Sequence, residues 1–292
     1  MKTRIAPATL AALTLTALAG VANAEAIIGL RSDNVLVSFD SSAPAIISGT
    51  VAVSGLQPGE SLLGIDLRPA TGQIFGMGSS NRLYAINPVT GVATAAGAPF
   101  TPALDIAEYG IDFNPTVDRV RVVNSLGGNR RLNPTNGASA GVDTNLTYAT
   151  GGTPRAVAVA YTNSLAGVPA GSIREYGIDS ALGALIEIGT QAGGNTSFNA
   201  GVSTVVGSLG FSTSDLVGFD IFGPTGNAFV SLTDPSSGVS SFYALNLATG
   251  AASPLGSVGT GVTLRDFTVV PAPGAAGVLA VGAGAMLRRR RA

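Results

Sequence analysis

The 292 residues contain no cysteine and no histidine. Without cysteine there can be no disulfide, Fe–S cluster, thiolate zinc site or cysteine nucleophile. Without histidine, Ser-His-Asp catalysis and the commonest transition-metal ligand are excluded as well. Charge is also scarce, at 11% of residues against 46% hydrophobic, which excludes a disordered polyelectrolyte. Lysine occurs once, at position 2. Glycine is abundant instead: 40 residues, roughly twice the usual share, which points to a chain rich in tight turns.

Both ends read as addresses. Residues 1–24 have the form of a secretory signal peptide: Lys2 and Arg4, then an apolar run from Ala8 to Val21, then the small-x-small site Ala22-Asn23-Ala24. Cleavage between Ala24 and Glu25 by a signal peptidase is expected, and with it export by the general secretory route to the envelope, cell surface or exterior. Residues 271–292 run Pro271-Ala272-Pro273, then uncharged residues 274–287, then Arg288, Arg289, Arg290 and Arg291. That apolar stretch is short for a full span, and the arginines would hold it at the cytoplasmic side. Pro-x-Pro, a short apolar segment and an arginine cluster resemble the PEP-CTERM sorting signal of Gram-negative bacteria, with alanine in place of the usual central glutamate. The resemblance implies transient membrane attachment and processing by an exosortase-type enzyme.

Between the ends, residues 25–270 hold ten arginines and seventeen acidic residues, a net charge of −7. Such a surface repels phosphate backbones, so nucleic acid is not an expected partner.

An internal repeat sets the architecture. Arg82-Leu83-Tyr84-Ala85-Ile86-Asn87-Pro88-Val89-Thr90-Gly91 aligns without gaps with Arg174 to Gly183 and Ser241 to Gly250. Weaker copies lie at Leu132 to Gly137 and Val37 to Pro44. Each reads as a strand, an Asn/Asp turn closed by glycine in the stronger copies, and another strand. The turn residues stand at 40, 87, 133, 179 and 246, at intervals of 47, 46, 46 and 67. A period near 46 fits one four-stranded propeller blade. The excess in the last interval is assigned to 190–214 as a long loop or extra hairpin.

A second motif opens the units: Gly64-Ile65-Asp66, Gly110-Ile111-Asp112 and Gly218-Phe219-Asp220, with Arg155 to Tyr161 in the same slot of the fourth. The first unit lacks an opening strand, and Thr263 to Val270 is left over at the far end. The expected fold is therefore all-β: a five-bladed propeller, its ring closed by the C-terminal strand joining the N-terminal blade. A β-sandwich or open β-solenoid is the alternative. These repeats, and above all Glu108 to Asn136, resemble the bacterial family named domain of unknown function 4394. The resemblance covers about 25–270 and implies a propeller in an extracellular setting, with no catalytic residues to transfer.

Asp66, Asp112 and Asp220 share one slot of the strand expected to line the channel. Clustered carboxylates there would suit a hard cation such as Ca²⁺, or as a pair would suit glycoside hydrolysis. The plainer reading is that each ends its strand and bonds the next turn. Arg119, Arg121, Arg130 and Arg131 are the basic cluster of the core. They are expected on a solvated face beside Asp112 and Asp118, or gripping an acidic polysaccharide. Tyr84, Tyr176 and Tyr243 share a repeat position and are expected to pack between blades rather than stack on sugars. The function expected is a non-catalytic, exported propeller that binds polysaccharide or a surface protein or serves as scaffold. The alternative is a carboxylate- or metal-dependent glycan hydrolase or lyase.

Overall fold

Alternating apolar residues punctuated by Asn/Asp-to-Gly turns fold as short antiparallel strands. In the computed structural model, which describes residues 24–189 and 197–271, they do so throughout. The leader before Ala24, and Pro273 and Arg288 to Arg291 of the tail, lie outside the described residues. The chain begins with β1 (Ala26–Arg31), β2 (Val35–Asp40) and β3 (Gly49–Ala52). Blade two is β4 (Leu62–Arg68), β5 (Gln73–Gly78), β6 (Arg82–Ile86) and β7 (Ala93–Ala95). Blade three is β8 (Tyr109–Asn114), β9 (Arg119–Asn124), β10 (Asn129–Leu132) and β11 (Ser139–Val142). A two-residue strand, β12 (Thr147–Tyr148), precedes blade four: β13 (Ala156–Tyr161), β14 (Glu175–Asp179), β15 (Ala184–Ile188) and β16 (Val202–Ser208). Blade five is β17 (Val217–Ile221), β18 (Ala228–Thr233), β19 (Ser240–Leu245) and β20 (Ala252–Ser257). The last strand, β21 (Leu264–Val270), pairs antiparallel with β1, Ile27 opposite Val269 and Gly29 opposite Phe267. Blade one is thus β21-β1-β2-β3, made from both ends of the domain.

The inner strands β21, β4, β8, β13 and β17 pack side by side in that order and return to β21, which closes a five-bladed propeller. They run parallel around the axis, so the turns sort into two faces. One face carries the turns between first and second, and third and fourth, strands, together with Pro271; we call it the exit face. The opposite face carries the remaining connections. Apolar side chains fill the five seams as five separate clusters, the smallest lying between blades three and four. The seam that completes the ring gains an aromatic lock, Phe267 of β21 packing edge-on to Phe242 of β19 at 5.0 Å between ring centres.

The turn chemistry is as expected. Asn87 Oδ1 accepts from the N–H groups of Val89 and Thr90, and Asn246 Oδ1 from those of Ala248 and Thr249. Gly91 and Gly250 close these turns with φ of 73° and 79°, which glycine adopts without steric cost.

Blade four corrects the sequence reading. Asp179 ends a second strand, not a third, and Tyr176 is therefore not equivalent to Tyr84 and Tyr243. The same Asp-to-Gly turn recurs one strand early, with Asp179 Oδ1 accepting from Leu182 N–H. A thirteen-residue connection between β13 and β14 (162–174) takes up the displacement and produces the even spacing by coincidence. Residues 190–214 are not one loop either: 202–208 is β16, the regular fourth strand, which β12 extends in parallel. Glu175 opens the second strand of this blade.

Near the axis the strands crowd, and the glycine of each Gly-x-Asp motif is the consequence. A Cβ on Gly110 would lie 2.4 Å from the Ala158 Cα of the next inner strand. Gly110→Ala is expected to cost about 2–3 kcal/mol or more through overpacking. Gly49→Ala, whose Cβ would meet nothing nearer than 3.5 Å, is expected to be close to neutral. Urea denaturation of both variants tests this, and equal midpoints would contradict the close approach.

Candidate metal centre

An inner strand has one edge facing the channel, where its backbone N–H groups lack a ladder partner. Aspartates of neighbouring blades supply the missing acceptors. Asp66 Oδ2 accepts from Phe113 N–H at 2.7 Å, and Asp112 Oδ1 from Tyr161 N–H at 3.3 Å. Asp220 Oδ2 accepts from Val269 N–H at 2.7 Å, and Asp266 Oδ2 from Ile65 N–H at 2.9 Å. Four of the five seams are stitched this way. In the fifth, from blade four to blade five, Ala160 occupies the aspartate slot and has no acceptor to offer. The aspartates therefore bond the adjacent blade rather than the next turn, a correction to the plainer sequence reading.

The same geometry gathers three carboxylates. One oxygen each from Asp66, Asp112 and Asp220 lie within 4.8 Å of one another, and all three residues are buried. In blade one the slot is filled by Thr268, whose Oγ1 lies 3.1 Å from Asp66 Oδ1 and 3.0 Å from Asp220 Oδ2. That oxygen also accepts from Leu67 N–H. A hydroxyl has one proton, so it can donate to only one of the two carboxylates. The other contact calls for a proton on a carboxyl group or a cation between the oxygens. Asp112 accepts one hydrogen bond among the described residues, whereas Asp66 and Asp220 each accept two from backbone N–H groups and share the Thr268 hydroxyl.

Burial, and then the Asp220 charge, hold the Asp66 carboxyl well above the usual carboxylate range. Burial, then the charges of Asp66 and Asp220, do the same for Asp112. Burial pushes Asp220 up to about 6. Asp266 is raised by burial too. Three ionised carboxylates this close repel by about 3 kcal/mol per pair at an effective dielectric of about 20. The cluster is stable only if it holds protons or a cation.

On the exit face a cavity of about 560 Å³ reaches this cluster, with Asp66 and Asp220 among its lining residues. Pro69, Leu165, Phe222 and Pro271 also line it. On the opposite face Arg265 Nη1 of blade one donates to Glu108 Oε2, which precedes blade three, at 2.8 Å. Beside the same face Arg155 pairs with Asp215.

Arg121 and Arg130 depart from the expected solvated face, whereas Arg119 bonds only nearby carbonyls. Arg121 is 1% exposed and sits between blades three and four. It donates to Tyr161 Oη at 3.0 Å, Asn129 Oδ1 and Asp143 Oδ2 at 2.7 Å, and Asn199 Oδ1 at 2.8 Å. Glu175, fully buried, lies 3.4 Å from its Nε and accepts from Tyr161 Oη. Arg130 is buried too and donates to the Pro102 carbonyl, while Arg131 grips Asp143 through two nitrogens. Asp118 pairs with Arg68 of blade two. Tyr84 and Tyr243 are buried between blades, as expected for packing residues. Sequence reasoning missed Asp266 and Thr268. Their signal was the orphan strand itself, in which Thr268 aligns with Asp66 and Asp266 falls two places ahead.

The family model described as Domain of unknown function (DUF4394) matches residues 35–268. The chain belongs to that family. The matched span runs from the start of β2 to Thr268, so this family is defined on the propeller and includes all three clustered aspartates. No curated protein matches the chain. Among solved structures it is similar to hydrazine synthase of Kuenenia stuttgartiensis, at 14% identity and a TM-score of 0.39. That alignment covers 75% of this chain and 52% of the other, so the chain spans about half the length of that protein. It is also similar to a protein of Bacteroides uniformis provisionally assigned as a 6-phosphogluconolactonase, again at 14% identity and a TM-score of 0.39, covering 85% of this chain and 72% of that one. At such distance neither speaks to the chemistry of this DUF4394 chain.

Proposed function

We propose that this DUF4394 propeller is an exported, non-catalytic scaffold or binding module of the cell envelope, whose axial carboxylates hold a Ca²⁺ ion that ties blades two, three and five together. The observation that carries the reading is the convergence of Asp66, Asp112 and Asp220 within 4.8 Å. Two oxygens on opposite sides of a Ca²⁺ stand about 4.8 Å apart, because each lies about 2.4 Å from the ion. The spread of the cluster therefore fits one Ca²⁺ coordination sphere. The three carboxylates and Thr268 Oγ1 offer four oxygens, and water entering through the exit-face cavity would complete the six to eight that Ca²⁺ takes. Glycan hydrolysis is less well supported. It needs two carboxyl groups flanking an open cleft, and here all three are buried, with Asp66 and Asp220 committed to backbone N–H groups.

The setting rests on the two ends of the sequence. The signal peptide implies handling by a signal peptidase, and the tail implies transient membrane attachment and an exosortase-type enzyme. The extracellular partner would be a polysaccharide or surface protein.

The test is a melting scan at neutral pH with Ca²⁺ and with EDTA. A ligand that binds only the native state raises the midpoint by mass action, by about 2.7 kcal/mol at a hundredfold excess over Kd. Ca²⁺ is expected to raise the midpoint of the native protein and to leave Asp112→Asn unmoved. Equal midpoints in Ca²⁺ and EDTA would remove the cation from the account.

A further inference from the structure

We infer that the exit face is a lipid-facing surface, held against a bilayer by the sequence that follows it. The inference rests on the membrane attachment proposed above for the tail. Pro271 is the last described residue and stands on this face, lining both the channel mouth and a neighbouring groove. Only Ala272 and Pro273 separate it from the uncharged run 274–287 and the four arginines beyond. Two residues and their flanking bonds reach at most about 10 Å. If that run enters a bilayer, the face from which it departs has no room to stand far from the headgroups.

The surface suits that position. The groove, between blades one and two, has a volume of about 970 Å³ and is floored by Ile28, Leu67, Ile74 and Val270. Ile46 and Val89 rise at its rim on turn tips, 68% and 84% exposed. Charge on this face includes two pairs, Arg68 with Asp118 and Arg174 with Glu187, together with Arg119 and with Asp40, which lines the groove and accepts from Ser42. The opposite turns carry Asp33, Asp105, Glu108, Asp215 and Asp234, of which Asp33, Glu108 and Asp215 pair with Arg31, Arg265 and Arg155. Aliphatic side chains are exposed on that side too, Ile106 at 103%, Val142 at 61%, Leu126 at 57% and Leu182 at 56%, so it is the apolar groove beside the point where the chain departs, and not aliphatic exposure alone, that carries the inference. An aliphatic rim around an apolar groove partitions into the interfacial zone of a bilayer, whereas a carboxylate-rich face does not.

The chain has no tryptophan, so one introduced tryptophan reports a single place. Full-length Val89→Trp and Leu126→Trp would be reconstituted with phosphatidylcholine vesicles that contain brominated phosphatidylcholine. Both sites are exposed turns, so neither substitution disturbs packing. Co-flotation of both variants is expected, with a blue shift and bromine quenching of Val89→Trp emission and neither effect for Leu126→Trp. Co-flotation with both tryptophans unquenched, or both quenched alike, overturns the lipid-facing surface while leaving the tail's attachment in place. Failure to float overturns the attachment and the inference together. A blue shift of Val89→Trp that grows with protein concentration in the absence of vesicles would assign the face to a second copy of the chain and overturn the inference.

Discussion

Stripped of divalent cations, the protein is expected to melt at a higher temperature at about pH 5 than at about pH 7.5, the reverse of ordinary acid sensitivity. The sign follows from the axial carboxyls. Asp220 is pushed by burial from 3.8 up to about 6, so across that interval the native state binds more protons than the unfolded chain. Stability from this group is fully present below its unfolded value and is lost as pH rises through its folded one. Asp66, Asp112 and Asp266 are raised in the same direction. About one pKa unit of that interval lies above pH 5, so between the two pH values Asp220 alone contributes about 1.4 kcal/mol, at about 1.36 kcal/mol per pKa unit. A domain of this size gains about 2–4 °C per kcal/mol, so the shift from Asp220 is on the order of 3–6 °C, and the other raised carboxyls add to it in the same direction.

With no histidine in the chain, no ordinary side chain titrates between these two pH values to mask the effect. Acid stability has its own limit. Asp118 and Asp215, held low by their bonds to Arg68 and Arg155, contribute stability that is lost as pH falls below the usual carboxylate range. Ca²⁺ is expected to flatten the profile by stabilising the ionised cluster at neutral pH. Asp112→Asn removes one of the three mutually repelling charges, and in EDTA at neutral pH it is expected to melt no lower than the native protein. A midpoint in EDTA that climbs steadily toward neutral pH would contradict the raised carboxyls.

The second large effect belongs to Arg121. Its seam has the smallest apolar cluster of the five, so the polar knot around it holds blades three and four where hydrophobic packing is thinnest. Truncating one partner of a buried ion pair leaves the other uncompensated and costs about 3–5 kcal/mol. Arg121→Ala is expected at the top of that range. It strands Glu175, whose second oxygen already has no partner, leaves Asp143 to Arg131 alone, and opens the seam as well. Arg119→Ala, whose guanidinium bonds only nearby carbonyls, is expected to cost less than about 0.5 kcal/mol. In chemical denaturation the double variant Arg121→Met with Glu175→Gln is expected to recover part of the loss, since it removes both charges together. If Arg121→Ala and Arg119→Ala denature together, the buried knot carries no weight.

The inner ring was legible in the sequence for a physical reason. Close approach at the axis demands glycine, and a channel-facing strand edge demands an acceptor, so Gly-x-Asp marks the same position in three blades. The ring closure was legible because an orphan strand at one end answered a missing one at the other. Blade four was misread because an Asn/Asp-to-Gly turn encodes the local geometry of a turn and not the ordinal of the strands it joins. Asp179 and Gly183 make that turn correctly, one strand early. The burial of Arg121 was not legible at all. Its alternation with Arg119 suggested one shared solvated face, but its partners Asp143, Tyr161 and Asn199 come from 22, 40 and 78 residues away. Only the docking of two blades brings them together.

The most direct test of the axial site is a calorimetric titration of the EDTA-treated, dialysed protein with Ca²⁺ at neutral pH, repeated in buffers of different ionisation enthalpy. One ion per chain is expected to bind, with release of protons from the carboxyl cluster, and with neither signal in Asp112→Asn. No binding heat in any buffer, or binding that persists unchanged in Asp112→Asn, would show that Asp66, Asp112 and Asp220 converge only to stitch the blades.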